Sequence, residues 1–163
     1  MDTPDLRLSL HFKLSEFTAS MTAVRHGVPV VILPGSHEWG NLQRLCEDVL
    51  EPLRTATGGP IRILSGYRPP ELNRLVGGSP TSAHLKACAA DLQVGDHAPY
   101  DLALWLSRSG LPFDQVILEF NRWVHVAVAE PNLRPRRQVR TAWRNRLGQV
   151  CYTPGVQILS END

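Results

Sequence analysis

Two histidines and one aspartate carry the chemistry that this chain's spacing suggests. Asp91 follows His84 by seven positions in the run Ser82-Ala83-His84-Leu85-Lys86-Ala87-Cys88-Ala89-Ala90-Asp91, and His125 lies farther on in Trp123-Val124-His125-Val126. A carboxylate in so apolar a stretch must be paired, hydrogen-bonded or metal-bound, because burying it alone costs several kcal/mol or more. Two imidazoles and a carboxylate leave the fourth position of a tetrahedral zinc ion open, which is the pattern of a catalytic site. Zinc is therefore the natural candidate. On spacing alone a plainer alternative stands beside it, with His84 in a loop, Asp91 capping a turn and His125 on a solvated strand face.

The elements around these residues decide whether they can meet. In residues 123–129, Val124, Val126 and Val128 share one strand face, while Trp123, His125 and Ala127 share the other. In residues 88–94, Ala89, Asp91 and Gln93 share a face opposite Cys88, Ala90, Leu92 and Val94. Residues 114–120 and 123–129 read as a hairpin across Asn121 and Arg122. Ile61-Arg62-Ile63-Leu64 reads as a strand that delivers Tyr67 and Arg68 to a loop, since Pro69 and Pro70 forbid a continuing ladder. Weaker strands are expected over Gln138 to Trp143 and near Val150. The spacing predicts one helix capped by Ser15 and ending near Gly27, another from Asn41 to about Thr57, a short one over Pro70 to Val76, and one over Pro99 to Ser109, with residues 28–40 as a loop. The expected fold is α+β: a single domain over residues 1–163, with helices packed on one face of a mainly antiparallel sheet and a zinc cleft on the sheet.

Composition bounds the function. With 163 residues, one domain with one core is expected. The net charge of +1 from 17 basic and 16 acidic residues gives no global attraction to nucleic acid or to a membrane surface. No apolar run reaches the ~20 residues of a membrane span, and the N-terminus reads as lacking a leader, so synthesis in the cytoplasm is expected. Cys46, Cys88 and Cys151 form neither a disulfide framework nor a thiolate zinc knuckle and read as reduced.

Taken in order, Ser65-Gly66-Tyr67-Arg68, Leu72-Asn73, Val76-Gly77-Gly78-Ser79, Ser82-x-His84, Ala89-Ala90-Asp91 and Trp123-Val124-His125-Val126 resemble the D-Ala-D-Ala carboxypeptidase family of zinc peptidases. These are relatives of phage endolysin L-alanyl-D-glutamate peptidases and of vancomycin-resistance D,D-dipeptidases. The resemblance extends upstream through Leu14-Ser15-Glu16-Phe17 and Asn41-Leu42, so it covers roughly residues 11–129 and leaves a basic C-terminal extension over 130–163. It implies that His84, Asp91 and His125 hold one zinc ion, with manganese or cobalt able to use the same ligands. It also implies that Arg68 grips the scissile carbonyl or a substrate carboxylate, and that the substrate is a peptidoglycan stem peptide. Ser82 would bind substrate or hold the ligand loop, and Tyr67 would line the pocket.

The chain departs from that family in three places. Many members have an acidic residue three positions before the last histidine, where this chain has Arg122. The general base must then come from elsewhere, and Glu119 on the adjoining hairpin strand is the first choice, with Asp114 second. A glycine is usual at the place of Ala87, which cannot take φ > 0 cheaply, and Cys88 stands where a polar residue is usual, raising a thiolate ligand that strand alternation opposes. Arg134, Arg136, Arg137, Arg140, Arg144 and Arg146 read as a solvated edge strand that discourages edge pairing, or as an attraction to anionic wall polymer. The expectation is a monomeric metallopeptidase of carboxypeptidase or endopeptidase type, acting on the cell wall after release. The rivals are a non-catalytic, zinc-containing wall-binding module and a structural phage component.

Overall fold

The computed structural model describes residues 5–159. Its first third is helical but interrupted, and each interruption has a local cause. In α1 (Leu14–Thr18) the Glu16 carboxylate accepts from the Lys13 N–H at 2.8 Å. Ser15 therefore sits inside the helix rather than capping it, and its hydroxyl donates to Asp5 at 2.7 Å. The single helix expected as far as Gly27 is two, because Ala19 is extended and Ser20 caps a new helix, α2 (Met21–His26), by accepting from the Ala23 N–H at 3.2 Å. Serine competes well as a cap and poorly as a helix interior. Similarly, Ser36 starts α3 (His37–Leu45) four residues before the expected Asn41. The helix then passes through a π turn, Cys46–Leu50, into α4 (Glu51–Thr57). Pro52 explains that turn: it has no N–H, and its ring crowds the carbonyl four residues back, so the preceding turn widens until the Glu51 N–H reaches the Cys46 carbonyl.

The remaining elements are β1 (Ile61–Ser65), α5 (Pro70–Leu75), a 3₁₀ turn (Ala83–Lys86), β2 (Ala89–Val94), α6 (Pro99–Arg108), β3 (Phe113–Glu119), β4 (Trp123–Val128), β5 (Gln138–Arg144) and β6 (Val150–Pro154). The strands form one sheet in the order β1-β2-β4-β3-β5-β6, antiparallel except for the β3–β5 pair. The hairpin turn begins one residue earlier than expected, with Phe120 and Asn121 both at positive φ and the Arg122 N–H donating to the Glu119 carbonyl at 2.9 Å. No helix of the described residues is long and apolar enough to cross a membrane.

Alternation sorts the sheet into two faces. Leu92, Val94, Val116, Leu118, Val124 and Val126 form one buried core with Phe17, Leu42, Leu45, Leu53, Leu102 and Leu106 of the helices. The expected α+β layering, with helices against one sheet face, is what the chain adopts. The opposite face carries Asp91, His125, Ile117 and Glu119, in the register Asp91↔His125 and His125↔Ile117.

The reading of the arginine-rich stretch as an edge strand is corrected, since β5 lies between β3 and β6 and the edge falls to β6. Several of its arginines tie the C-terminal strands down. The Arg136 guanidinium grips Asp114 with its closest contact at 2.6 Å, and Arg137 caps the Leu111 and Ser109 carbonyls while stacking 4.2 Å over Phe113.

Three devices hold the loop that carries His84. Asn41 donates to the Lys86 carbonyl at 2.8 Å, and Asn73 donates to the Ser79 carbonyl at 2.9 Å. The third device is a close approach: a Cβ added at Gly66 would lie 2.5 Å from the Phe17 carbonyl oxygen and 2.6 Å from its Cα. Backbone cannot retreat from such a contact as a flexible side chain can. Gly66→Ala is therefore expected to cost about 1–3 kcal/mol or more, measured by chemical denaturation, whereas Gly59→Ala, which meets nothing within 4 Å, stays within about 1 kcal/mol of the parent.

Candidate metal centre

His84, Asp91 and His125 come together from three places in the chain. Asp91 and His125 are cross-strand partners on β2 and β4, and His84 reaches over them from the 3₁₀ turn. One ligand atom from each lies within 4.8 Å of the other two, and all three residues are buried, at 2% exposure for His84, 6% for Asp91 and 5% for His125. The imidazole rings meet edge to face with centroids 5.0 Å apart. The Ser82 hydroxyl caps the 3₁₀ turn by accepting from the His84 N–H at 3.3 Å.

The hydrogen bonds fix what these atoms can accept. His84 Nδ1 sits 2.6 Å from the Gly66 carbonyl oxygen, which can only accept, so Nδ1 carries the proton. Burial pushes the His84 pKa down, which favours the neutral ring, and its Nε2 then presents a lone pair toward Asp91 Oδ1 at 3.2 Å. Burial alone would raise the Asp91 carboxyl, but its polar neighbours, the hydrogen bond from His125 among them, outweigh it and hold Asp91 well below the usual carboxylate range. Asp91 Oδ1 also lies 3.0 Å from His125 Nδ1, and His125 Nε2 is a buried nitrogen without a hydrogen-bond partner. A lone pair facing an ionised oxygen, beside an orphaned imidazole nitrogen, is an arrangement that a cation relieves. The donor set fits zinc, and a carbonyl behind a ligand histidine is the usual way of fixing its tautomer.

Arg68 reaches the cluster from the loop after β1. Its Nη2 donates to Asp91 Oδ2 at 2.7 Å, its Nε donates to the Ser65 hydroxyl at 2.8 Å, and its backbone N–H donates to the His84 carbonyl at 3.0 Å. It therefore orients both the carboxylate and the turn. Tyr67 packs against the core edge, with its N–H on the Phe17 carbonyl at 2.8 Å, and burial raises its phenol pKa.

Glu119 stands on the same sheet face as His125 but outside the three-residue cluster. Burial pushes its carboxyl pKa up, the charge of Asp91 adds to that, and His125, the Trp123 indole and Arg68 oppose it. Asp114, the other candidate base, accepts from the Arg136 backbone at 2.8 Å and from its guanidinium, and it does not join the cluster. Cys88 faces the core, and burial raises its thiol pKa to about 11, so it is no ready thiolate. Ala87 takes the left-handed conformation at φ 54° that a glycine would take without cost. Sequence reasoning did not assign roles to the Gly66 carbonyl or the Ser65 hydroxyl. The signal was present in Ser65-Gly66-Tyr67-Arg68, where a glycine after a strand marks a close backbone approach.

Residues 10–127 match the family model described as Peptidase M15, and no curated protein matches the chain.

Two outcomes are expected. Ala87→Gly stabilises the protein by about 1 kcal/mol, read as a higher denaturant midpoint at unchanged slope, because it relieves the left-handed alanine. Zinc titration gives one ion per chain and raises the thermal midpoint, with about 2.7 kcal/mol of stabilisation at free zinc 100 times Kd. His125→Ala abolishes that rise, and an undiminished rise in this variant would place the ion elsewhere.

Proposed function

Because the chain belongs to the peptidase M15 family, whose members are zinc-dependent metallopeptidases, we propose that it hydrolyses an amide bond in peptidoglycan stem peptides, with zinc held by His84, Asp91 and His125. The observation that carries this reading is the buried His-Asp-His cluster with its unpartnered His125 Nε2, set on the sheet face opposite the hydrophobic core and beside a carboxyl group of raised pKa.

Bound zinc would polarise the scissile carbonyl and lower the pKa of water from ~15.7 to about 7. Glu119 takes the proton of the attacking water and returns it to the leaving amine. Its raised pKa suits both halves of that task, since a base that must later act as an acid works best near the operating pH. Arg68 holds Asp91 in place through Oδ2 and brings a positive charge to the edge of the site, where an oxyanion develops. Ser82 keeps the His84 turn closed, and Tyr67 forms a wall. The enzyme acts as a monomer on wall that it reaches after release. Its domain comprises the family-like core over about residues 11–129 and the extension over 130–163, of which 160–163 lie outside the described residues.

Purified peptidoglycan, analysed by mass spectrometry, tests this reading. The zinc-loaded protein is expected to release new amine and carboxyl ends, and a chelator to stop the release. Glu119→Gln is expected to lower kcat by about 10²–10⁴-fold while leaving zinc content unchanged. Full zinc occupancy without hydrolysis in the parent protein would replace this reading with a wall-binding module.

A further inference from the structure

The strands β5 and β6 follow the segment matched by the family model, yet they extend the same sheet face on which the metal cluster lies. Register carries the face across in two rows. One runs Asp91, His125, Ile117, Arg140 and Pro154, and the next runs Trp123, Glu119, Ala142 and Tyr152. With strands about 4.8 Å apart, the Arg140 backbone stands about 10 Å from that of His125, on the Glu119 side of the cluster. Ile117 and Ala142 between them are buried, at 7% and 1% exposure, so low apolar side chains floor the path.

Arg144, on the same face of β5, donates to the Gly148 carbonyl at 2.9 Å and lies 5.0 Å over the Phe120 ring. Arg136 has Asp114, and Arg137 is spent on carbonyls, but none of the ion pairs among the described residues includes Arg140. Its guanidinium is held instead by neutral groups. The Gln138 carboxamide, oriented to satisfy its neighbours, accepts from Nη2 at 2.8 Å and from Nε at 3.2 Å, and the Tyr152 ring lies 6.0 Å away. Tyr152 is 53% exposed and follows Glu119 and Ala142 in the second row of the same face. A fixed, half-buried arginine without a carboxylate partner is a prepared receptor for one, because the guanidinium fork matches carboxylate geometry.

Direction follows from proton transfer. Glu119 gives its proton to the leaving amine, so the residue released by cleavage lies on the Glu119 side of the cluster, which is the side of Arg140. One residue of extended chain covers about 3.5 Å, and a long arginine side chain spans the remainder. We propose that Arg140, braced by Gln138 and Tyr152, binds the α-carboxylate of the residue that follows the scissile amide, making a free carboxylate there a requirement for efficient cleavage. This rests on the proposed peptidase reading and adds to it a specificity residue outside the family-matched segment.

Two substrate types present that carboxylate, and paired peptides separate them. One pair is a stem peptide ending in D-Ala-D-Ala and its C-terminal amide. The other carries an L-Ala–D-Glu bond with the D-Glu α-carboxylate free or amidated. With zinc-loaded enzyme, the parent is expected to favour the free acid within whichever pair it cleaves. Arg140→Gln is expected to lower kcat/KM on the acid by about 10- to 100-fold, chiefly through KM, and to leave the amide nearly unchanged. Arg140→Lys, which keeps the charge without the fork, gives an intermediate loss and serves where the glutamine variant fails to fold. Equal losses on acid and amide, or no loss on either, would overturn the assignment while leaving the peptidase reading intact. Should the parent cleave none of the four, the peptidase reading on stem peptides falls, and calorimetric binding of the same peptides decides for Arg140. An acid-over-amide preference that Arg140→Gln abolishes supports the assignment, and absence of that preference in the parent refutes it.

Discussion

The arrangement depends on one buried carboxylate. Asp91 lies in an apolar strand, and its ionised group must be compensated or the fold loses several kcal/mol. Arg68 compensates one oxygen, while the other is left to two imidazoles that cannot both serve it as donors without exposing an unpaired nitrogen. The site is thus built with a shortage of positive charge at one point. Arg68 is the donor to the Asp91 Oδ2 oxygen, and the Ser65 hydroxyl steadies it by accepting from its Nε.

Other elements exist to hold that shortage in place. Gly66 lets the chain after β1 pass against Phe17 so closely that its carbonyl can fix His84. Asn41 and Asn73, at 7% and 4% exposure, secure the two ends of the loop carrying His84. The hydrophobic core lies on the far side of the sheet, so packing sets the strand register while the site face remains free for polar chemistry. The C-terminal strands widen that face, and their arginines are divided between anchoring, as Arg136 and Arg137 show, and Arg140, whose guanidinium lies between Gln138 and the Tyr152 ring.

The site was more legible in the sequence than the connections between its elements. Period-two alternation set Asp91 apart from Cys88, Leu92 and Val94, and His125 apart from the valines of its strand, while the pairing of the two on one face came from the strand register. The order of the strands along the chain was also readable. Ser15 misled as a cap because Glu16 alone satisfies the first N–H, while Ser20, one turn later, broke the helix. The π turn before Pro52 was hidden, since a proline in an amphipathic pattern announces a disturbance without saying which kind. The positive φ of Phe120 was unreadable from its side chain, which disfavours that conformation, and the interior position of β5 depended on a parallel pairing with β3 that no local pattern reveals. Arg68 carried a motif that signals function, but only the three-dimensional structure showed its guanidinium committed to Asp91.

X-ray absorption at the zinc edge of the zinc-loaded protein measures the ligand set itself. The account predicts a four-coordinate shell of nitrogen and oxygen only, with the multiple-scattering signature of two imidazoles and distances of about 2.0–2.2 Å. A sulfur shell near ~2.3 Å, or a six-coordinate oxygen shell without imidazole scattering, would contradict it.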